Sequence, residues 1–185
     1  KVGLLLGCVQ PAMMPNINSA TARVLDAAGI QTLVADGAGC CGAIRSHLSD
    51  HEGGLDDMRR NIDAWWPLVE GFNASGKIEA LVMNASGCGV TVKEYGHALR
   101  HDIAYAEKAA KISALTRDLS EFLPELLPAL KSRLAGRAAP KLAYHPPCTL
   151  QHGQQLRGGV EAGLRELGFD IRQTSCDSHL CCGSA

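Results

Sequence analysis

The chain writes one order of features twice: an apolar strand, a cysteine, a helix, a second strand, then Cys-Cys-Gly. The first copy opens with "KVGLLLGCVQP" (1–11) and reaches Cys40-Cys41-Gly42. The second opens with "KLAYHPPCTLQ" (141–151) and reaches Cys181-Cys182-Gly183. Between them, "SATARVLDAAGIQTLVA" (19–35) aligns with "GVEAGLRELGFDIRQ" (159–173). The spacing is Cys8-x31-Cys40 in one copy and Cys148-x32-Cys181 in the other. Internal duplication is the simplest source of such a match. Strands alternating with helices predict an α/β fold of two related strand–helix–strand halves with mostly parallel sheet. Residues 1–112 are read as the first repeat, 113–139 as a helical connector and 140–185 as the second repeat. The first copy continues past its Cys-Cys-Gly to "NASGCG" (84–89), whereas the second stops at Ala185, so the second half is expected to be truncated at its C-terminus.

Local patterns fill in the elements. "VGLLLG" (2–7), "IQTLVA" (30–35) and "EALVMN" (79–84) read as strands. A helix is expected over 16–28, capped by Asn16 or Asn18 and stopped by Gly29. Further helices are expected over about 54–74, with Asp56 and Asp57 in its first turn, over 89–99, and within 113–134. "KEYGHALRHD" (93–102) reads as a polar helix face. His47, His51, His97, His101 and His152 read as surface residues.

Eight cysteines in 185 residues are the unusual item of composition. Disulfide frameworks belong to small secreted chains that lack a core, and neighbouring cysteines bridge each other poorly. A chain that is 46% hydrophobic has a core. A metal centre is therefore the favoured reading. Each cysteine of the pattern follows a strand, and the carboxyl ends of parallel strands share one edge, where ligands bind. Cys8, Cys40, Cys41 and Cys88 can thus converge, with Cys148, Cys181 and Cys182 as the second set. Thiolates in that number select zinc or iron–sulfur. His145 and His179 stand close enough in sequence to be ligands or hydrogen-bonded neighbours. Cys176 lies outside the pattern and reads as a small buried hydrophobe.

Other function classes find little support. The net charge of −1 gives no field for nucleic acid, and no run of 18 apolar residues exists to span a membrane. The opening apolar run is too short for a signal peptide and reads as a strand.

The pattern Cys8-x31-Cys40-Cys41-Gly42 with the later Cys88 resembles the cysteine-rich CCG domain. That domain occurs in heterodisulfide reductases, an unusual succinate dehydrogenase subunit, lactate-utilisation proteins and the iron–sulfur subunits of glycolate oxidases. The resemblance to the last group runs nearly the length of the chain. It is carried by "LLLGCVQPAMMPNINSATARVLDAAGI", "RRNIDAW", "ASGCGVTVKEYGHALRHDIAYAEKAAKISALTRDLSEFL", "AYHPPCTLQHGQQLR" and "SHLCCGSA".

The resemblance implies an iron–sulfur electron-transfer module, with [4Fe–4S] as the first expectation and zinc as the alternative. It implies partner flavin-binding oxidase subunits, which alone carry FAD and oxidise glycolate to glyoxylate. It also implies an N-terminal ferredoxin-like region, for which this sequence holds no C-x2-C-x2-C run. A cytoplasmic location follows, with peripheral attachment to the inner membrane through the complex. On this reading the chain carries no catalytic residue of its own. Heterodisulfide reductase relatives supply a C-x-x-C pair after Cys-Cys-Gly, and here its first position is Ala85. Four thiolates suit [4Fe–4S] or tetrahedral zinc alike. The competing functions are a structural zinc or scaffold domain of the complex and a disulfide reductase, against which Ala85 counts.

Overall fold

The computed structural model describes residues 1–72, 76–174, 177, 179 and 180. Its centre is a four-stranded sheet: β1 (Val2–Leu4), β2 (Thr32–Leu33), β3 (Ala80–Met83) and β4 (Thr116–Asp118). The spatial order is β2-β1-β3-β4 and every pairing is parallel, with Val2 opposite Thr32 and Ala80, and Leu81 opposite Thr116. Parallel strands need crossovers, and helices supply them. These are α1 (Gln10–Met13), α2 (Pro15–Ala27), α3 (Ala43–His47), α4 (His51–Glu70), α5 (Ser86–Lys93), α6 (Tyr95–Ala98) and α7 (Ala106–Leu115), and α8 (Leu119–Leu134) follows the last strand.

Alternation along the strands explains the layers. Val2, Leu4, Ala80 and Val82 pack with Leu25 of α2 and with Phe122 and Leu126 of α8. Leu5, Leu81 and Met83 pack with Ile62, Trp65 and Val69 of α4, Val92 of α5, Tyr95 of α6 and Ile112 of α7. A strand's period of two sends neighbours to opposite faces, so a run of apolar residues serves two cores at once. The sheet lies between two helical layers, in the α/β class expected.

The second half begins with β5 (Lys141–Tyr144), followed by a π-helical turn (Thr149–Gly153), α9 (Gly159–Glu166) and β6 (Asp170–Gln173). β5 and β6 form a parallel pair with Lys141 opposite Asp170. This repeats the strand–turn–helix–strand order of β1 to β2.

Several boundaries differ from the sequence-based expectation. The helix expected over 16–28 is α2, which starts at Pro15, and neither Asn16 nor Asn18 caps it. Asn18 instead donates to the Leu6 carbonyl and accepts from Asn84. Residues 113–139 hold a strand, β4, as well as a helix. Asp118 and Glu121 form a capping box that ends β4 and starts α8. "KEYGHALRHD" is not a uniformly polar face: Tyr95 and Leu99 are fully buried against α7, while His97 and His101 are exposed.

Candidate metal centre

The first sheet reverses its strand order at β1. The chain leaves β1 for β2 on one side and later returns as β3 on the other. Such a switch point opens a crevice beyond the carboxyl ends of the two central strands. Leu5 and Gly7 after β1, Met83 at the end of β3 and Asn84, Ala85 and Cys88 beyond it line a small cavity of about 10 Å³ there. Cys8 follows β1 and Cys88 lies in the first turn of α5, so the two flank the switch point. Cys40 and Cys41 arrive on the loop after β2.

The structure brings these four cysteines together, although they come from three separate segments. Cys8 is hydrogen-bonded to Cys40, and Cys41 to Cys88. Cys8 is exposed, Cys40 and Cys88 are half-buried, and Cys41 is buried. Partial desolvation, the bond to Cys40 and the nearby Cys40 and Cys41 charges raise the Cys8 thiol. The hydrogen bond from Cys88 holds Cys41 down at about 6, against the opposing effect of burial. The Ala43 amide, the Thr91 hydroxyl and the amide of Cys41 itself add to that lowering. Cys88 moves the other way, pushed far above the ordinary thiol range by its bond to Cys41, by burial, and by the charges of Cys41, Cys8 and Cys40. The group therefore pairs one lowered thiol, Cys41, with a neighbour, Cys88, that keeps its proton and donates it to Cys41.

Two interior residues hold the loop that carries Cys40 and Cys41. Asn61 of α4 accepts from the Gly39 amide at 2.8 Å and donates to the Cys40 carbonyl at 2.7 Å. The Tyr95 hydroxyl donates to the Cys41 carbonyl at 2.8 Å and accepts from Asn61 at 3.1 Å. Arg60 also reaches the Cys40 carbonyl, at 3.3 Å, while paired with buried Asp57. Gly42 closes the loop with φ +94°, and a side chain there would lie 2.6 Å from the Gly54 carbonyl. The sequence reading missed Asn61 and Tyr95. The available signal was position: Asn61 lies on the same helix face as Met58, Ile62 and Trp65, where a polar residue needs an interior partner.

The second set is described in part. Cys148 is half-buried at the start of the π-helical turn, and His145 is half-buried just after β5. His179 is exposed, with its carbonyl 3.2 Å from His152 Nε2. Cys176, Cys181 and Cys182 lie outside the described residues. The turn after Cys148 packs on α5, with Ser86 Oγ 2.6 Å from Thr149 Oγ1.

Four cysteine thiols suit an iron–sulfur cluster or a tetrahedral zinc ion alike. They form two pairs within electrostatic reach of each other. The segments after Cys8 and Cys41 also carry exposed apolar side chains: Val9, Met13 and Met14 in one, Ile44 and Leu48 in the other.

Residues 2–93 match the cysteine-rich domain family CCG. Through them the chain belongs to the CCG family. The chain is 51% identical over all its residues to the glycolate oxidase iron–sulfur subunit of Escherichia coli K12, of which it spans 43%. It is 28% identical, again over its full length, to the probable glycolate oxidase iron–sulfur subunit of Bacillus subtilis 168, spanning 40% of it. Over 99% of the chain it is 27% identical to lactate utilization protein A of Bacillus licheniformis, spanning 72% of that protein. The chain thus spans less than half the length of the two glycolate oxidase subunits. No helix among the described residues is long and apolar enough to cross a membrane.

Proposed function

We propose that this chain is the CCG part of an iron–sulfur subunit in a complex that oxidises 2-hydroxy acids, of the glycolate oxidase type. Cys8, Cys40, Cys41 and Cys88 would hold a [4Fe–4S] cluster. The observation that carries this reading is the convergence of those four cysteines at the switch point of the parallel sheet. The names of the relatives support the cluster class and the type of complex.

A bound cluster supplies reversible acceptance of single electrons. Oxidation of a 2-hydroxy acid to a 2-oxo acid on a flavin partner would release two electrons and two protons, and a cluster held by these cysteines would supply a one-electron relay for the electrons. The chain's residues bind and orient. The four thiols lose their protons to hold the metal. The Cys41 and Ala43 amides donate to sulfur, and Arg60 places positive charge behind the Cys40 peptide. Exposed Cys8, with apolar Val9, Met13 and Met14 beside it, suits close approach of a redox partner. Cys148, Cys181 and Cys182, with His145 or His179 close by, are proposed as a second centre in a duplicated second repeat. The cytoplasmic face of the inner membrane, reached through the complex, is the proposed place of work.

The test is anaerobic purification of the chain followed by iron, sulfide and zinc assays and an EPR spectrum after reduction. Near-equal iron and acid-labile sulfide with a cluster signal are expected. Stoichiometric zinc without iron would overturn the reading in favour of a structural zinc domain.

A further inference from the structure

The Asn61–Tyr95 pair has a narrow purpose in this fold. Both side chains are fully buried, in a core that includes Ile62, Trp65, Val92 and Ile112. A buried amide and a buried hydroxyl are costly unless every polar atom is satisfied, whereas an apolar pair would fill the space without that need. Their hydrogen bonds go to Gly39, Cys40, Cys41 and each other. The network serves one loop, and that loop carries two of the four clustered cysteines.

Peptide geometry turns this into an effect on sulfur. In a trans peptide the C=O and the following N–H point in opposite directions, and no cis peptide occurs among the described residues. Drawing the Cys40 carbonyl inward to Asn61 turns the Cys41 N–H outward, and drawing the Cys41 carbonyl inward to Tyr95 does the same for the Gly42 N–H. The Cys41 amide does donate to its own sulfur. The left-handed turn at Gly42 then brings the Ala43 amide onto the same atom. Successive amides aimed at one anionic centre stabilise negative charge there.

We propose that Asn61 and Tyr95 are positioning residues for the metal centre: by holding the Cys40 and Cys41 carbonyls in the core they aim the Cys41 amide, and through the turn at Gly42 the Ala43 amide, at the Cys41 sulfur and so set the reduction potential of the bound cluster. The potential part rests on the iron–sulfur reading; the aiming of the amides does not.

Two measurements keep the parts distinguishable. The first uses the full cluster-free chain under reducing conditions and follows hydrogen exchange. Tyr95→Phe removes one oxygen from a packed ring, and Asn61→Leu removes the amide. Each is expected to speed exchange at Cys41 and Ala43 by roughly tenfold beyond any change at β3, as the loss of a local hydrogen bond would. Trp65→Phe is the control: it is buried, its ring stacks on Tyr95 at 6.4 Å, and it does not bond to the loop. A rise in Trp65→Phe equal to that in Tyr95→Phe overturns the proposal. So does global unfolding by Tyr95→Phe, because the role would then not be specific to the loop. The second measurement is the reduction potential and EPR signal of the anaerobically loaded chain. Tyr95→Phe is expected to keep its iron and sulfide and to shift to lower potential, since fewer amides then stabilise the reduced, more negative state. An unchanged potential and signal overturn the tuning role. Zinc in place of iron would defeat the iron–sulfur reading and leave the exchange result standing.

Discussion

The hydroxyls of Ser86 and Thr149 lie 2.6 Å apart and join two cysteine-bearing segments that are distant in sequence. Ser86 opens α5, two residues before Cys88, and Thr149 directly follows Cys148. Gln154 strengthens the junction by donating to the Ser86 carbonyl at 3.1 Å and to Asp118 at 2.9 Å. Two glycines permit the approach: a side chain at Gly89 would meet Gln154, and one at Gly153 would meet Val90. The first cysteine set and Cys148 are therefore held in a fixed relation by the fold.

That junction predicts an energetic coupling. In a double-mutant cycle with Ser86→Ala and Thr149→Val, the interaction term is expected at about 1 kcal/mol, as for a part-buried hydrogen bond between neutral groups. Urea unfolding of the four chains measures it. Strictly additive effects would show that the two hydroxyls contribute nothing jointly.

Gly42→Ala is expected to be among the more damaging single-methyl changes in the chain. Its φ of +94° strains any L side chain, and the new carbon would lie 2.6 Å from the Gly54 carbonyl, a backbone atom that cannot swing aside. The left-handed strain alone costs about 1–3 kcal/mol, and the clash adds to it. The expected readout is a loss of at least about 2 kcal/mol in urea unfolding together with loss of metal. A variant as stable as the parent would show that the loop takes another path.

Much of this site could be read from the sequence because its logic is topological. Once each cysteine of the first set follows a strand, the parallel sheet gathers them on one edge whatever the loop details. The elements that the sequence did not reveal depend on interior geometry. Two Asn candidates for capping α2 gave way to Pro15, which already fits a helix start, and Asn18 was left free to bond Leu6 and Asn84. β4 is three residues long, too short for its own periodicity, and is fixed by pairing with β3. Tyr95 looks polar in "KEYGHALRHD" but is anchored by a carbonyl of the cysteine loop 54 positions away, a partner no local window contains.

Cys41→Ser is expected to lose metal and to lower stability, because binding energy at a thiolate centre is coupled to folding. Cys176→Ser is expected to leave the metal of the first centre unchanged, since Cys176 stands outside the repeated pattern. Metal analysis of both variants after identical anaerobic preparation decides the matter. Equal losses would mean that the ligand set is drawn wrongly.

The metal-free chain should gain stability as pH rises from about 6 toward 9, and the direction follows from Cys41. Its pKa falls from 9.0 unfolded to about 6 in the fold, held down by the hydrogen bond from Cys88. A depressed pKa contributes stability that is complete above the unfolded value and disappears as pH falls through the folded one. Cys88 is shifted upward, so its contribution is complete below 9 and declines above it. Between about 6 and 9 the folded pair therefore holds one proton where the unfolded pair holds two. Stability then rises with pH by at most about 1.4 kcal/mol per unit, the limit for one proton. Above 9 the unfolded pair holds fewer protons than the folded one and the trend reverses. Urea unfolding across this window, with reductant and chelator present, should trace a maximum near pH 9. Cys41→Ser should flatten the rise, since serine does not titrate there. A parent chain whose stability is flat or falling between pH 6 and 9 would rule out the Cys41–Cys88 thiolate–thiol pair.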